Sequence, residues 1–342
     1  MKKKLHVIFA GAVIIALVKI FIIYRILFGL SISTNPGEGV IYIPTGSTYK
    51  QVIDTLESHL VIKNLRILKW VADKKKYPVL IKPGRYVIES RISYVGLVDR
   101  LRSGKQSPVK ITFNNVRSLN QLAAKVGKQI EADSSEIINF LTDENNFRAD
   151  GFTKENIIAL FIPDTYEIYW NTDPKTLYER MLKEYKLFWN SQRLEKAKDK
   201  KLNQMEVAIL ASIIDDEVVK KEEKPRIAGV YLNRLKRGIP LQACPTIKFA
   251  LNDFTITRVL KKHLLVDSPY NTYKHNGFPP GPIGCPTIDG IDAVLNAEKH
   301  DYLFFAAKAD FSGYHNFSKT LSEHNHYALL YQKELDKRKI FK

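Results

Sequence analysis

The chain has 342 residues, 45% of them hydrophobic and 26% charged, with two cysteines. That balance excludes a disordered chain or a disulfide-stapled miniprotein and fits a globular α+β protein with ample length for a core. The net charge of +17 raises nucleic acid as a partner. However, the basic runs Lys74-Lys75-Lys76, Lys198 to Lys201 and Lys337 to Lys342 are scattered and accompany no DNA- or RNA-binding motif. They read as solvated helix ends and tails, and a basic surface of this kind suits anionic lipid headgroups or an acidic polymer.

In chain order, Met1-Lys2-Lys3-Lys4 precedes Leu5 to Tyr24, twenty residues whose only charge is Lys19. That length crosses a bilayer as a helix. Lys19 can snorkel outward with Arg25. No Ala-x-Ala-like cleavage site follows, so an uncleaved single-pass anchor is the expectation. The three lysines favour a cytoplasmic tail (1–4), an anchor at 5–30 and an extracytoplasmic remainder.

Val40-Ile41-Tyr42-Ile43 reads as a short strand, and Thr48-x-x-Gln51 as a capping box for a helix carrying Val52, Ile53, Leu56 and Leu60. A second helix around Leu65 to Lys74 and a strand at Gly84 to Ile88 complete a βααβ pattern over 38–106. A strand at Val109 to Phe113 and the box Ser118-x-x-Gln121 repeat the strand-then-helix order at the start of a larger mixed α+β region, 107–342. A charged, exposed helix is expected from Leu187 to Asn203.

Asn203 and Glu206 then form a capping box for a helix whose Val207, Leu210 and Ile214, with Ile209 and Ile213, follow helical spacing. This apolar helix delivers Asp215, Asp216 and Glu217 to its C-terminal end, where the macrodipole disfavours anions. An acid held there beside apolar surface gains proton affinity and becomes a candidate proton donor. Pro225 opens the next helix, which Gly238 ends. Leu241-Gln242-Ala243-Cys244-Pro245-Thr246, Tyr270-Asn271-Thr272-Tyr273, Gly277 to Ile283, and His315-Asn316-Phe317 with Glu323-His324-Asn325 then supply rigid, hydrogen-bonding loops. Such a set suits a long cleft for a polyhydroxylated ligand. Histidines 275, 315 and 324 lack tight ligand spacing, and neither HExxH nor CxxC occurs, so neither a metal nor another cofactor is expected.

These stretches resemble the endolytic murein transglycosylases, the MltG or YceG-like family. The resemblance runs in order from Phe161 to Asn325 and includes Pro163-Asp164-Thr165-Tyr166, Ala211 to Ile214, Ala228 to Leu235, Leu241-Gln242, Pro245-Thr246, Tyr270 to Tyr273 and Gly277 to Ile283. It implies a LysM-like subdomain at 38–106 and a YceG-like catalytic domain at 107–342. It also implies Asp215 at the position of the usual catalytic glutamate, with Glu217 as the second candidate. Glu217 could instead pair with Arg226 or Arg234. Cys244 stands where the family carries aspartate, and Ile158-Ala159 replaces a usual Glu-Gly.

The implied reaction is cleavage of the MurNAc–GlcNAc bond without water. One carboxyl protonates the leaving oxygen and then takes the proton of the sugar's own 6-hydroxyl as a 1,6-anhydro ring closes. Gln242, Thr246 and Asn271 are the implied substrate contacts on loops. Asn233 either joins them or holds loops, and Tyr270 and Tyr273 either stack on sugars or pack. Cys244 and Cys285 are left open between a disulfide across the cleft and two small buried thiols. Peptidoglycan strands, the bilayer and the cell-wall synthesis machinery are the implied partners, with no nucleic acid. Asp215 and Cys244 keep open a catalytically silent glycan-binding scaffold as the alternative.

Overall fold

A computed structural model of the chain describes residues 2–34, 39–88, 90–218 and 220–338. Met1, Glu38 and residues 339–342, named in the expected tail, subdomain and catalytic ranges, lie outside them. The chain divides into two compact units, one comprising Met1–Ile111 with Gln129–Ala132 and Tyr166–Asp173, the other the remainder. The first unit thus takes in two later segments that boundaries at 38–106 and 107–342 assign to the second.

The first unit begins with α1 (Lys2–Phe28). Its segment Ile8–Phe28 is 21 residues long, with mean hydropathy 2.3 and none of its most apolar stretch buried by protein. Phe9 and Phe21 are 72% and 63% exposed, so apart from its C-terminal end, where Leu27 packs on the core of the unit, the helix leaves its apolar surface uncovered and fits a single-pass membrane anchor.

Strands β1 (Ile32–Thr34), β3 (Leu60–Ile62) and β5 (Arg91–Ile92) form an antiparallel sheet with β1 central. The elements of the expected βααβ pattern are present as β2 (Val40–Ile43), α2 (Tyr49–His59), α3 (Leu65–Lys74) and β4 (Gly84–Val87), but β3, which pairs with β1, intervenes between the two helices. Its two strands pair antiparallel, Val40 opposite Val87 through Ile43 opposite Gly84. Thr48 and Gln51 make the reciprocal box that starts α2, and Asn64 caps α3. Helix α4 (Tyr94–Ser103) adds Leu97, Val98 and Leu101 to a core shared with Val52, Leu56 and Leu68. Strand β6 (Val109–Thr112) pairs with β7 (Thr165–Ile168), which arrives on the returning segment.

The second unit contains α5 (Leu119–Gly127), α6 (Ser134–Thr142), α7 (Pro174–Phe188) and α8 (Ser191–Asp199). The single helix expected over Leu187 to Asn203 is therefore the end of one helix and a second, nine-residue one. Asn190 ends the first by turning its side chain to the Arg193 backbone N–H as the N-cap of α8.

Next come α9 (Gln204–Glu217), α10 (Lys224–Lys236), α11 (Cys244–Ala250) and α12 (Ile288–Leu295). The hairpin β8 (Phe304–Ala307) and β9 (His315–Ser318) precedes α13 (Leu321–Lys337). Helix α9 is the axis of this unit. Every residue from Val207 to Ile214 is buried, against α10, α11 and α12. Its amphipathicity is weak because its neighbours enclose it on all sides.

Candidate active site

Three consecutive carboxylates end α9, and each meets a different environment. Asp215 accepts from Lys224 Nζ at 2.6 Å, from the Thr287 hydroxyl at 2.8 Å and from the Thr287 backbone N–H at 2.7 Å. Thr287 is itself the N-cap of α12, so the carboxylate faces the positive end of that helix. Gly290 makes the approach possible, because a Cβ there would lie 2.5 Å from both carboxylate oxygens. The two ion-paired side chains are only 13% and 8% exposed.

Asp216 accepts from Arg117 Nη2 at 2.6 Å, and that guanidinium lies 4.8 Å from the centre of the Phe254 ring. Glu217 differs from both. Its Oε2 is buried and has no hydrogen-bond partner among the described residues. Burial, reinforced by the neighbouring charge of Asp216 and opposed in part by Lys248, pushes its pKa up to about 7.

Asp215, expected as the acid, therefore has both oxygens engaged in tying α9 to α10 and α12. The alternative ion pairs expected for Glu217 do not form. Arg226 binds Glu298 at 2.8 Å, while Arg234 donates to Pro240 O, Leu303 O and the Gln242 side chain.

Around Glu217 stand Tyr231, Cys244 and Tyr273; burial raises the pKa of each, and the nearby charge of Glu217 adds to it. Tyr231 is 1% exposed, whereas Cys244 and Tyr273 are half-buried. The Cys244 thiol and the Tyr273 hydroxyl are 3.2 Å apart. Burial, with the Glu217 charge second, pushes the thiol up to about 11, so it stands beside Glu217 as a neutral group.

Loop architecture separates the other expected contacts into two sets. Asn233 donates its amide to His300 O at 2.7 Å and Tyr302 O at 3.0 Å, which fastens α10 to the strand entry beyond it. Thr246 and Asn271 are fully buried. Thr246 bonds Ala243 O and the Thr272 hydroxyl. Asn271 donates to Leu264 O and Val266 O and accepts from the Tyr273 backbone. These three hold loops.

Gln242, Tyr270 and Tyr273 retain accessible surface. Gln242 takes a positive φ of 52°, its backbone N–H bonds Thr272 O at 3.0 Å, and Arg234 occupies its side-chain carbonyl. The amide N–H2 is thus the end left to donate. Tyr270 packs on Phe249 with ring centres 4.7 Å apart, one ring edge supported by protein.

The proline-rich loop is fixed against α9. The Ile283 N–H donates to Ser212 Oγ at 3.0 Å. A Cβ on Gly281 would lie 1.9 Å from Glu155 O, an approach only glycine permits. The Cys285 backbone N–H bonds Val116 O, and its buried thiol faces Ile158 O. Both cysteines are free, so the disulfide reading is not realised: each thiol already has its own neighbour. Lys224, Arg117 and Lys248 act on these carboxylates and are not singled out by motif reading, while Tyr231 lies in a matched stretch without an assigned role. Pro225, expected to open the helix, is the second residue of α10, directly after Lys224.

Among the described residues, Glu217 is thus the one of the three carboxylates ending α9 that keeps a buried oxygen without a partner. Residues 41–329 match the model of the YceG-like family, and the chain belongs to that family. It is 31% identical over 304 residues to the endolytic murein transglycosylase of Bacillus subtilis strain 168, covering 83% of this chain and 82% of that protein. It is 30% identical over 300 residues to the protein of the same name from Streptococcus pneumoniae R6, covering 78% of this chain and 53% of the longer relative. A solved structure of a yceG-like protein from Listeria monocytogenes superimposes with TM-score 0.55 at 28% identity, covering 84% of this chain and 98% of that one.

Proposed function

We propose that this protein is a membrane-anchored endolytic murein transglycosylase in which Glu217 is the acid and then the base. The relatives' shared name supports the activity and peptidoglycan as substrate. One observation carries the residue assignment: of the carboxylates that end α9, Asp215 and Asp216 are ion-paired, while Glu217 keeps a buried oxygen without a partner.

A pKa of about 7 leaves Glu217 protonated in a large share of molecules near neutrality, and its conjugate base is strong enough to take a proton back. A single carboxyl then serves both steps. It donates to the glycosidic oxygen as the MurNAc–GlcNAc bond breaks. It then accepts the proton of the MurNAc 6-hydroxyl as that oxygen closes on the anomeric carbon to give a 1,6-anhydro end. Hydrolytic glycosidases need a second free carboxylate for water or for a covalent intermediate. Here both neighbouring carboxylates on α9 are committed to cations, which favours the intramolecular route.

Gln242, Tyr270 and Tyr273 are the substrate contacts in this reading, and Asn233, Thr246 and Asn271 position them. The anchor directs the catalytic unit to the outside of the cytoplasmic membrane, where the enzyme cuts nascent strands beside the synthesis machinery and ends their growth. The βααβ region acts as a LysM-like module, and the unit that follows carries the chemistry.

The test is mass spectrometry of uncross-linked strands treated with the full chain and with Glu217→Gln. New 1,6-anhydromuramyl ends made by the wild type and missing from the variant are expected. Persistence of those ends in Glu217→Gln would move the acid elsewhere. A folded wild type that retains strands without cutting them would leave a binding scaffold.

A further inference from the structure

Helix α3 of the first unit carries a surface that the transglycosylase reading does not use. Its inner face, Leu68, Val71 and Ala72, is buried in the core, yet Trp70 on the outer side is 51% exposed. Trp70 and Ile67, with Asn64 and Arg66, line a groove of about 250 Å³ whose opposite wall is Ile23, Ile26 and Leu27 of α1. Those three residues belong to the last turns of the apolar segment Ile8–Phe28. The groove is therefore continuous with the surface that a bilayer would cover.

The charges around it have one sign. Between Lys63 and Lys76 the chain has six basic residues, Lys63, Arg66, Lys69, Lys74, Lys75 and Lys76, against Asp73 alone. Lys75 is committed to Asp99 at 2.7 Å, whereas Lys63, Arg66, Lys69 and Lys74 are exposed. The Lys74 ammonium lies 6.0 Å from the centre of the Trp70 ring, so cation and indole share one edge of the helix.

An exposed indole at the end of a spanning helix, flanked by lysine and arginine, matches the chemistry of the membrane interface. There the ring sits at headgroup level and the cations meet lipid phosphates. A free soluble anion would explain the cations but not the apolar groove that opens onto α1.

We propose that α3 is a second membrane contact: Ile67 and Trp70 enter the outer edge of the acyl region, and Lys63, Arg66, Lys69 and Lys74 bind anionic phospholipid headgroups. Docking here fixes the height and tilt of the first unit over the bilayer, which a lone spanning helix followed by a short connection does not. The inference rests on α1 as a membrane span and is independent of the chemistry assigned to Glu217.

The full chain is reconstituted into vesicles of phosphatidylcholine with about one third phosphatidylglycerol, containing lipids brominated near the glycerol end of the acyl chain. Tryptophan quenching is then read beside Trp70→Phe. Trp189 is buried and Trp170 half-buried, so the expected result is quenching in the wild type that Trp70→Phe removes. Reversing Lys63, Arg66 and Lys69 to glutamate should lower the docked-to-free ratio by roughly fivefold or more per charge.

Quenching that survives Trp70→Phe, or none in wild-type chain that floats with the vesicles, overturns the docking. Equal quenching in vesicles of phosphatidylcholine alone overturns the anionic headgroup as ligand. Chain that does not float overturns the spanning helix and the docking together.

Discussion

Asp215 and Glu217 stand two residues apart on one helix, yet they occupy opposite kinds of site. At 3.6 residues per turn they point roughly 200° apart around the axis. Asp215 projects to α10 and α12 and is answered by Lys224, Thr287 and the open end of a helix. Glu217 projects to α11 and the Tyr273 loop and is answered by a thiol, two phenols and burial. The first environment consumes hydrogen-bonding capacity to hold three helices together. The second withholds it, and an unspent carboxyl is available to a substrate. On the proposed reading, what separates the structural acid from the reactive one is the partner across the gap, not the residue or its place at a helix C-terminus.

The sharpest way to break this contrast is to remove each carboxylate in turn. Glu217→Gln keeps the shape and removes the proton, and the rate of anhydro-end formation should fall about 10²–10⁴-fold, the usual contribution of a general acid. Asp215→Asn should retain most of the activity per folded molecule. Equal rate losses in the two variants would erase the distinction.

Stability should show the reverse ranking. Lys224 is 8% exposed, so Lys224→Met leaves Asp215 charged, buried and without its cation. Loss of one partner from such a pair costs about 3–5 kcal/mol, which chemical denaturation would read directly. A change below about 1 kcal/mol would mean that Thr287 and the α12 terminus alone satisfy Asp215.

The asymmetry between these residues explains how far the sequence could be read. The buried face of α9, its Asn203–Glu206 box, the α2 box and the α3 limits follow from local spacing and match the structure. The end of α9 was legible as a cluster of acids, and motif order identified the loops around it. Which acid stays free was not legible, because it depends on Lys224 lying beyond an intervening turn, on Arg117 almost a hundred residues away in the chain, and on a glycine at 290. The same holds for the loop bonds of Thr246 and Asn271, expected as substrate contacts, and of Asn233, left open between contact and support. Their partners are backbone carbonyls and hydroxyls that only the folded loops bring near.

Titration gives an intermediate effect and a sign that can be checked. The folded pKa of Glu217, about 7, lies above its reference value of 4.5. The native state therefore holds a proton that the unfolded chain releases. This favours folding fully below the unfolded value and is lost as pH rises through about 7. The full span corresponds to at most on the order of 3 kcal/mol, reduced by solvent screening of a partly exposed side chain. Glu217→Gln removes the titration, so its Tm should exceed that of the wild type at pH 8.5 and converge with it at pH 5. A Tm difference that stays constant across that range would show that Glu217 is not held protonated by its surroundings. Activity should fall over the same alkaline limb, since the acid step needs the proton.

The smallest effect tests the second environment at its least expected member. Cys244 stands beside Glu217 as a neutral thiol with its Tyr273 contact at 3.2 Å. Cys244→Ser preserves a neutral hydrogen-bonding group and should leave the alkaline limb of the rate profile in place. Cys244→Asp puts a second ionisable acid within reach of the first. The two would then share one proton more tightly than either holds it alone, raising the upper apparent pKa of the pair by about one unit. The pH–rate profile of anhydro-end formation, taken for all three proteins at one ionic strength, distinguishes these outcomes. A limb that moves upward only with aspartate makes Cys244 the residue that keeps Glu217 near neutrality. A limb unmoved by aspartate would mean that the two groups are insulated, leaving burial and Asp216 to set the proton affinity of the acid.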